Sequence, residues 1–197
     1  MTFIQTVPEE QAESDVKQLY EENAANFGYV PNYVQAFSLR PDVMQAWGQL
    51  LGAIKRDMDT RRYELVTLAA ARALKSSYCM LAHGKVVLKA FYSPEQLTRI
   101  ARDYETADLT AAEVAMMAFA EQIVVDATAV TQEHINTLYQ HGFSDNEIFD
   151  IITTTTARCF FSKTVDALGA EPDEAFMVLD ENLRQALVVG RPIEGQG

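Results

Sequence analysis

The sequence predicts an all-α fold in a single domain, and three observations carry that prediction. Apolar residues recur at the spacing of amphipathic helices along nearly the whole chain. Glycine and proline are few, 9 and 6 among 197 residues, and several of them mark breaks in the apolar pattern. Polar caps precede several of the apolar runs, Thr110-Ala111-Ala112-Glu113 being a capping-box pattern. With 48% hydrophobic and 22% charged residues, the composition is that of a folded protein with a sizeable core.

Each element follows in order. Pro8 to Asn26 reads as a first helix with Val16, Leu19 and Tyr20 on its apolar side, and Phe27-Gly28-Tyr29-Val30-Pro31-Asn32 breaks it. A short helix covers Tyr33 to Ser38. Pro41 then suits a first helical turn, and Val43, Met44, Trp47, Leu50, Leu51 and Ile54 form a buried stripe. Asp59-Thr60 closes that helix and caps the next, from about Arg61 to Lys75. Ser76 and Ser77 interrupt, and a further helix runs to about Phe91. In the second half, Thr110 opens a helix through Val125, Thr131 caps one through Gln140 that ends at His141-Gly142, and Ser144 caps a last long helix. Thr153 to Thr156 is β-branched, but four such residues do not overturn the helical context. The expected layout is a helical arm at 1–58, a core at 59–105, a second helical half at 106–190 and a frayed tail at 191–197. Glu64-Leu65-Val66 and Tyr92-Ser93-Pro94 are echoed by Glu113-Val114-Ala115 and Phe143-Ser144-Asp145, as two degenerate repeats would be, with His134 opposite His83.

Charge and composition exclude several function classes. A net charge of −12 argues against a nucleic-acid partner, which needs clustered Lys and Arg. The N-terminus shows neither a basic leader nor an apolar stretch of a signal, no run approaches a spanning helix, and a cytoplasmic location is expected. Two distant cysteines, Cys79 and Cys159, do not suggest a structural disulfide. No Walker loop, dinucleotide-binding glycine turn or Ser-His-Asp signature is present, and no cofactor is expected.

The chemistry concentrates on Ser76-Ser77-Tyr78-Cys79-Met80-Leu81-Ala82-His83. A serine cap places Cys79 in the first turn of a helix, where unpaired N–H groups favour an anion and should lower the thiol's pKa. His83 lies one turn on, on the same face, where it can exchange a proton with the thiol. Ala82 and Gly84 are small and leave room for a ligand. The plainer alternative is a buried core cysteine, and two ligands on one turn fall short of a zinc set. Cys159, in the apolar run Ala157-Arg158-Cys159-Phe160-Phe161, reads as core. His141 reads as a helix-end residue, and Asp173, Glu174, Asp180 and Glu181 as a solvated face.

Across Glu64 to Ala90 the chain resembles the core motif of the carboxymuconolactone decarboxylase and alkyl hydroperoxidase D superfamily. That motif is a glutamate, a helical stretch, Cys-x-x-Cys, and a histidine four residues on. Gly28-Tyr29-Val30-Pro31-Asn32 and the helix after Pro41 resemble its longer, peroxidase-related branch. The resemblance implies an AhpD-like all-α fold, a homo-oligomer (trimer or hexamer), and a proton relay from glutamate through histidine to the second cysteine. Carried over, Cys79 is the peroxidatic thiol, His83 its proton partner and Glu64 the group orienting His83, with Tyr78 and Ser76 supporting the pocket. The pattern departs at Ser76, which stands where the family has its resolving cysteine and cannot form the disulfide. A sulfenic acid at Cys79 would then need an external thiol reductant, or Cys159. Three readings stay open: a single-thiol peroxidase acting on hydroperoxides, a lactone-decarboxylating lyase using Glu64 and His83, and a non-catalytic helical oligomer.

Overall fold

The computed structural model describes residues 2–193. Among them are ten α-helices and three short 3-10 turns, and no strand. In chain order the helices are α1 (Ser14–Phe27), α2 (Asn32–Ala36), α3 (Pro41–Lys55), α4 (Thr60–Ala73), α5 (Ser77–Ala90), α6 (Pro94–Arg102), α7 (Ala111–Asp126), α8 (Gln132–Gln140), α9 (Asp145–Leu168) and α10 (Glu181–Leu187). None is long and apolar enough to cross a membrane.

α4 is the central element because its sequence lets neighbours approach from several sides. Tyr63 through Ala71 are all buried, and three successive alanines, Ala69, Ala70 and Ala71, keep the helix slim. α5, α7 and α9 pack against it. One apolar cluster joins Trp47 of α3, Cys79 and Leu81 of α5, Phe161 and Val165 of α9, and Leu183 and Leu187 of α10. A second joins Leu65 and Val66 of α4 to Met116 and Phe119 of α7, Leu138 of α8, and Ile148 and Ile151 of α9.

The capping signals at Asp59, Thr110 and Ser144 act as the sequence suggests. Thr110 with Glu113 and Ser144 with Glu147 form reciprocal capping boxes, and Asp59 accepts from the Arg62 amide at 2.9 Å. Thr155 and Thr156 stay helical by donating their hydroxyls to the carbonyls of Ile151 and Ile152.

Several expectations are corrected. The first helix begins at Ser14 rather than Pro8: residues 9–11 form a 3-10 turn, Ala12 is extended, and Tyr20 Oη ties the preceding segment down by donating to the Val7 carbonyl at 2.6 Å. Asp173 is not on a solvated face. It is buried and accepts from Tyr78 Oη at 2.7 Å, Tyr29 Oη at 3.2 Å and the Asn32 amide at 2.7 Å. Asp180 caps α10. The tail is docked as far as it is described: the Gly190 amide donates to Ser77 Oγ at 2.9 Å and Ile193 is buried, while 194–197 lie outside the described residues. In the echoed half, Glu113 and His134 cap their own helices, α7 and α8, rather than pairing with each other.

Candidate active site

α4 and α5 form a helical hairpin whose turn sets the site. Lys75 takes a left-handed conformation (φ 56°), and the Ser76 amide reaches back to the Ala71 carbonyl at 2.9 Å. Chain reversal at residues 74–76 brings Glu64, on α4, opposite His83 on α5. Glu64 Oε2 lies 2.6 Å from His83 Nδ1, and the glutamate is 3% exposed. The pair that the family resemblance implied is therefore in contact.

α9 supplies the other wall. Arg158 and Ser162 stand one turn apart on it, as His83 and Cys79 do on α5, and the two helices match in antiparallel order. Arg158 Nη1 lies 2.9 Å from His83 Nε2, and Ser162 Oγ donates to Cys79 Sγ at 3.1 Å. A guanidinium only donates, so Nε2 accepts and Nδ1 carries the proton that Glu64 receives. His83 is thus neutral. Burial lowers its pKa first, Arg158 lowers it further, and Glu64 opposes both.

Cys79 departs from expectation. It is 2% exposed, and among the described residues no hydrogen bond joins it to His83. Burial raises the thiol's pKa and outweighs the lowering by Ser162, Arg158 and Ser76, with Asp166 adding to the rise. A helix N-terminus favours an anion, but withdrawal from water wins here. Ser76 does not cap α5 with its side chain. Its buried hydroxyl makes no hydrogen bond of ordinary geometry, and burial outweighs its lowering influence at both Cys79 and Asp166, whose pKa values are raised. Gly84 leaves room for Leu187 of α10 rather than for a ligand: a Cβ there would stand 2.8 Å from Leu187 Cδ1. Tyr78 is buried and binds Asp173, so it ties α5 to the 29–33 segment. Cys159 is half-buried rather than core, and one residue beyond Arg158 it faces away from the α5–α9 seam.

Arg158 is a candidate-site residue that spacing and motif did not point to. It is 3% exposed, donates to Tyr63 Oη through Nη2, and lies 5.4, 5.5 and 5.9 Å from the ring centroids of Trp47, Tyr63 and Phe161. Its signal was an arginine inside the apolar run 157–161. Lys55 Nζ sits 4.7 Å above the Tyr63 ring and also acts on His83. Among the described residues, no group of three or more His, Cys, Asp or Glu could hold a metal. A surface concavity of about 470 Å³ is lined by residues 2–6 with Asn32 and Gln35 and does not include the cysteine site.

Residues 41–122 match the model of the carboxymuconolactone decarboxylase family. No curated protein sequence matches the chain. Among solved structures, an uncharacterized peroxidase-related protein with an alkylhydroperoxidase AhpD core from Ralstonia eutropha JMP134 superposes with a TM-score of 0.79 at 24% identity, covering 95% of this chain and 97% of that one. An uncharacterized peroxidase-related protein from Silicibacter sp. TM1040 gives 0.75 at 20% identity, covering 89% and 91%. A cysteine-to-alanine variant of the debrominase Bmp8, in complex with 2,3,4-tribromopyrrole, gives 0.72 at 16% identity, covering 95% and 98%. At these identities the superpositions establish the shared helical fold.

Proposed function

We propose that this chain, whose residues 41–122 match the carboxymuconolactone decarboxylase family and whose helical fold is shared with AhpD-like peroxidase-related proteins, is a peroxidase-related oxidoreductase acting through one thiol, Cys79. One observation carries the reading. The Glu64–His83 pair is assembled on the same helix face as Cys79, and a buried guanidinium lies within electrostatic reach of the thiol.

The reaction follows from these groups. Cys79 loses its proton toward the His83 side, where the Glu64 contact sets the tautomer and leaves Nε2 as the basic nitrogen. The thiolate attacks the distal oxygen of a hydroperoxide. An S–O bond forms, the O–O bond breaks, sulfur is oxidised by two electrons, and the departing alkoxide takes up a proton to leave as an alcohol. Because Ser76 cannot close a disulfide, an external thiol attacks the sulfenic sulfur and releases water, and a second thiol frees Cys79 as the external disulfide leaves. Arg158 favours the anionic sulfur and must turn away from His83 Nε2 for the proton to move. Brief peroxide treatment followed by dimedone trapping and peptide mass spectrometry should label Cys79. A label confined to Cys159 would sink the proposal.

A lyase using Glu64 and His83 alone is a second reading, favoured by the missing Cys79–His83 hydrogen bond. It requires lactone turnover that survives Cys79→Ala and is lost in His83→Ala. The fold's exposed apolar side chains, Leu50 on α3 with Phe149 and Phe160 on α9, support self-association into the trimer or hexamer of the family reading. Light scattering at micromolar concentration tests it. We place the reaction in the cytoplasm, where external thiols are reduced.

A further inference from the structure

We infer that the buried Arg158 guanidinium is a receptor for an anionic group on the ligand, and that the substrate class is a hydroperoxide bearing a carboxylate. The second half of this inference rests on the single-thiol reading; the anion site does not.

A buried charge is stable only when paired, and Arg158 is not paired. It is 3% exposed, yet no ion pair joins it to a carboxylate among the described residues. Both Nη atoms donate to neutral groups, the His83 imidazole and the Tyr63 phenol, and its Nε–H is buried with no partner at all. Glu64, the nearest acid in the chain of contacts, is engaged by His83 Nδ1–H. Together Arg158, Lys55 and Glu64 act on His83 with two positive charges against one negative, inside a chain whose net charge is −12. The other buried acids are engaged elsewhere, Asp173 by Tyr78, Tyr29 and the Asn32 amide and Glu113 by Arg61, so the imbalance lies at Arg158.

The surroundings say what shape of anion fits. The guanidinium is boxed by the rings of Trp47, Tyr63 and Phe161, so the group next to the charge is apolar or aromatic. Entry lies on the His83 side, where the imidazole side chain is 17% exposed and Lys55 stands at the rim. A planar carboxylate matches the guanidinium fork in two parallel hydrogen bonds, which neither imidazole nor phenol can do. Drawing Arg158 onto the ligand also releases His83 Nε2, the atom that the thiol's proton requires.

Trp47 is the only tryptophan, and its ring lies 5.4 Å from Arg158 Cζ, so native fluorescence reports on the site. The full chain is titrated with benzoate and with benzamide, its neutral isostere. The expected result is a saturable emission change with benzoate, at an affinity at least about tenfold above that of benzamide. R158M should abolish the difference, R158K should weaken it by losing the fork, and K55A, a change at an exposed residue, should weaken it several-fold. Equal response to the two probes, a benzoate preference that survives in a folded R158M, or one left undiminished in a folded R158K, overturns the anion site. In parallel, peroxide consumption is compared for linoleic acid hydroperoxide and its methyl ester, and the acid should show the lower KM. If hydrogen peroxide oxidises Cys79 but acid and ester behave alike, the substrate assignment falls and the thiol reading stands. If benzoate binds while no hydroperoxide oxidises Cys79, the thiol reading falls and the anion site stands.

Discussion

Ser162→Ala isolates the hydrogen bond that the Cys79 sulfur accepts among the described residues. Ser162 is fully buried, and its hydroxyl donates to Cys79 Sγ at 3.1 Å. A donor to a charged acceptor contributes about 1.5–3 kcal/mol, against about 1 kcal/mol for a neutral one, so the thiolate loses about 1 kcal/mol more than the thiol when the donor is removed. That difference corresponds to about a fivefold smaller thiolate fraction below the pKa. The assay is the pH dependence of Cys79 alkylation by iodoacetamide, read by peptide mass spectrometry so that Cys159 is scored separately. Cys79 is 2% exposed, so alkylation also requires local opening. Opening enters native and variant rates alike, and their ratio isolates the hydrogen bond. The account predicts a rate about fivefold lower near pH 7.5 and a titration displaced to higher pH. An unchanged profile, or one displaced to lower pH, refutes the reasoning that Ser162 stabilises the anion.

Three further outcomes follow. Glu64→Gln replaces the charged acceptor on His83 Nδ1 with a neutral one, and peroxide-driven oxidation of Cys79 should slow about tenfold or more, as quenched-flow mass spectrometry would record. The lowered pKa of His83 means the unfolded chain binds more protons below its ordinary value of 6.5. Stability is therefore complete above that pH and declines as pH falls toward the folded-state pKa; urea unfolding at pH 7.5 and 5.0 should show a loss that His83→Gln reduces. Gly190→Ala would place a Cβ 1.9 Å from the Lys75 carbonyl oxygen, which is backbone and cannot yield. The docked 187–193 segment should lift at a cost of about 1–3 kcal/mol, with faster hydrogen exchange there and faster Cys79 alkylation; unchanged exchange would contradict the close approach.

What the sequence made legible was local. Thr110 with Glu113 and Ser144 with Glu147 are written three residues apart, and both pairs cap as read. Spacing alone did not point to Glu64, whose pairing with His83 came from the family resemblance; only the hairpin turn at 74–76 was visible, as the Ser76-Ser77 interruption. The rest depends on contacts between distant parts of the chain. Arg158 lies 75 residues from His83, and Ser162 lies 83 residues from Cys79. Nothing in the run 157–161 says that its arginine turns inward, because a helix repeats every face and only packing selects one. Asp173 resembled its solvated neighbours until Tyr78 and the Asn32 amide, 95 and 141 residues away, converged on it. The dipole argument for a low-pKa thiol failed for a related reason: burial is a property of the assembled core, and it outweighs the local field at Cys79.

The central claim is that Cys79 is the reacting atom, and thiol-dependent peroxide consumption tests it most directly. The native chain, Cys79→Ser and Ser76→Cys are compared with dithiothreitol as reductant. The account predicts turnover by the native chain and by Ser76→Cys, and only the background rate for Cys79→Ser. Native and Cys79→Ser chains running at the same background rate, with Ser76→Cys alone active, would contradict it and mark the native protein as a family member disabled at its resolving position.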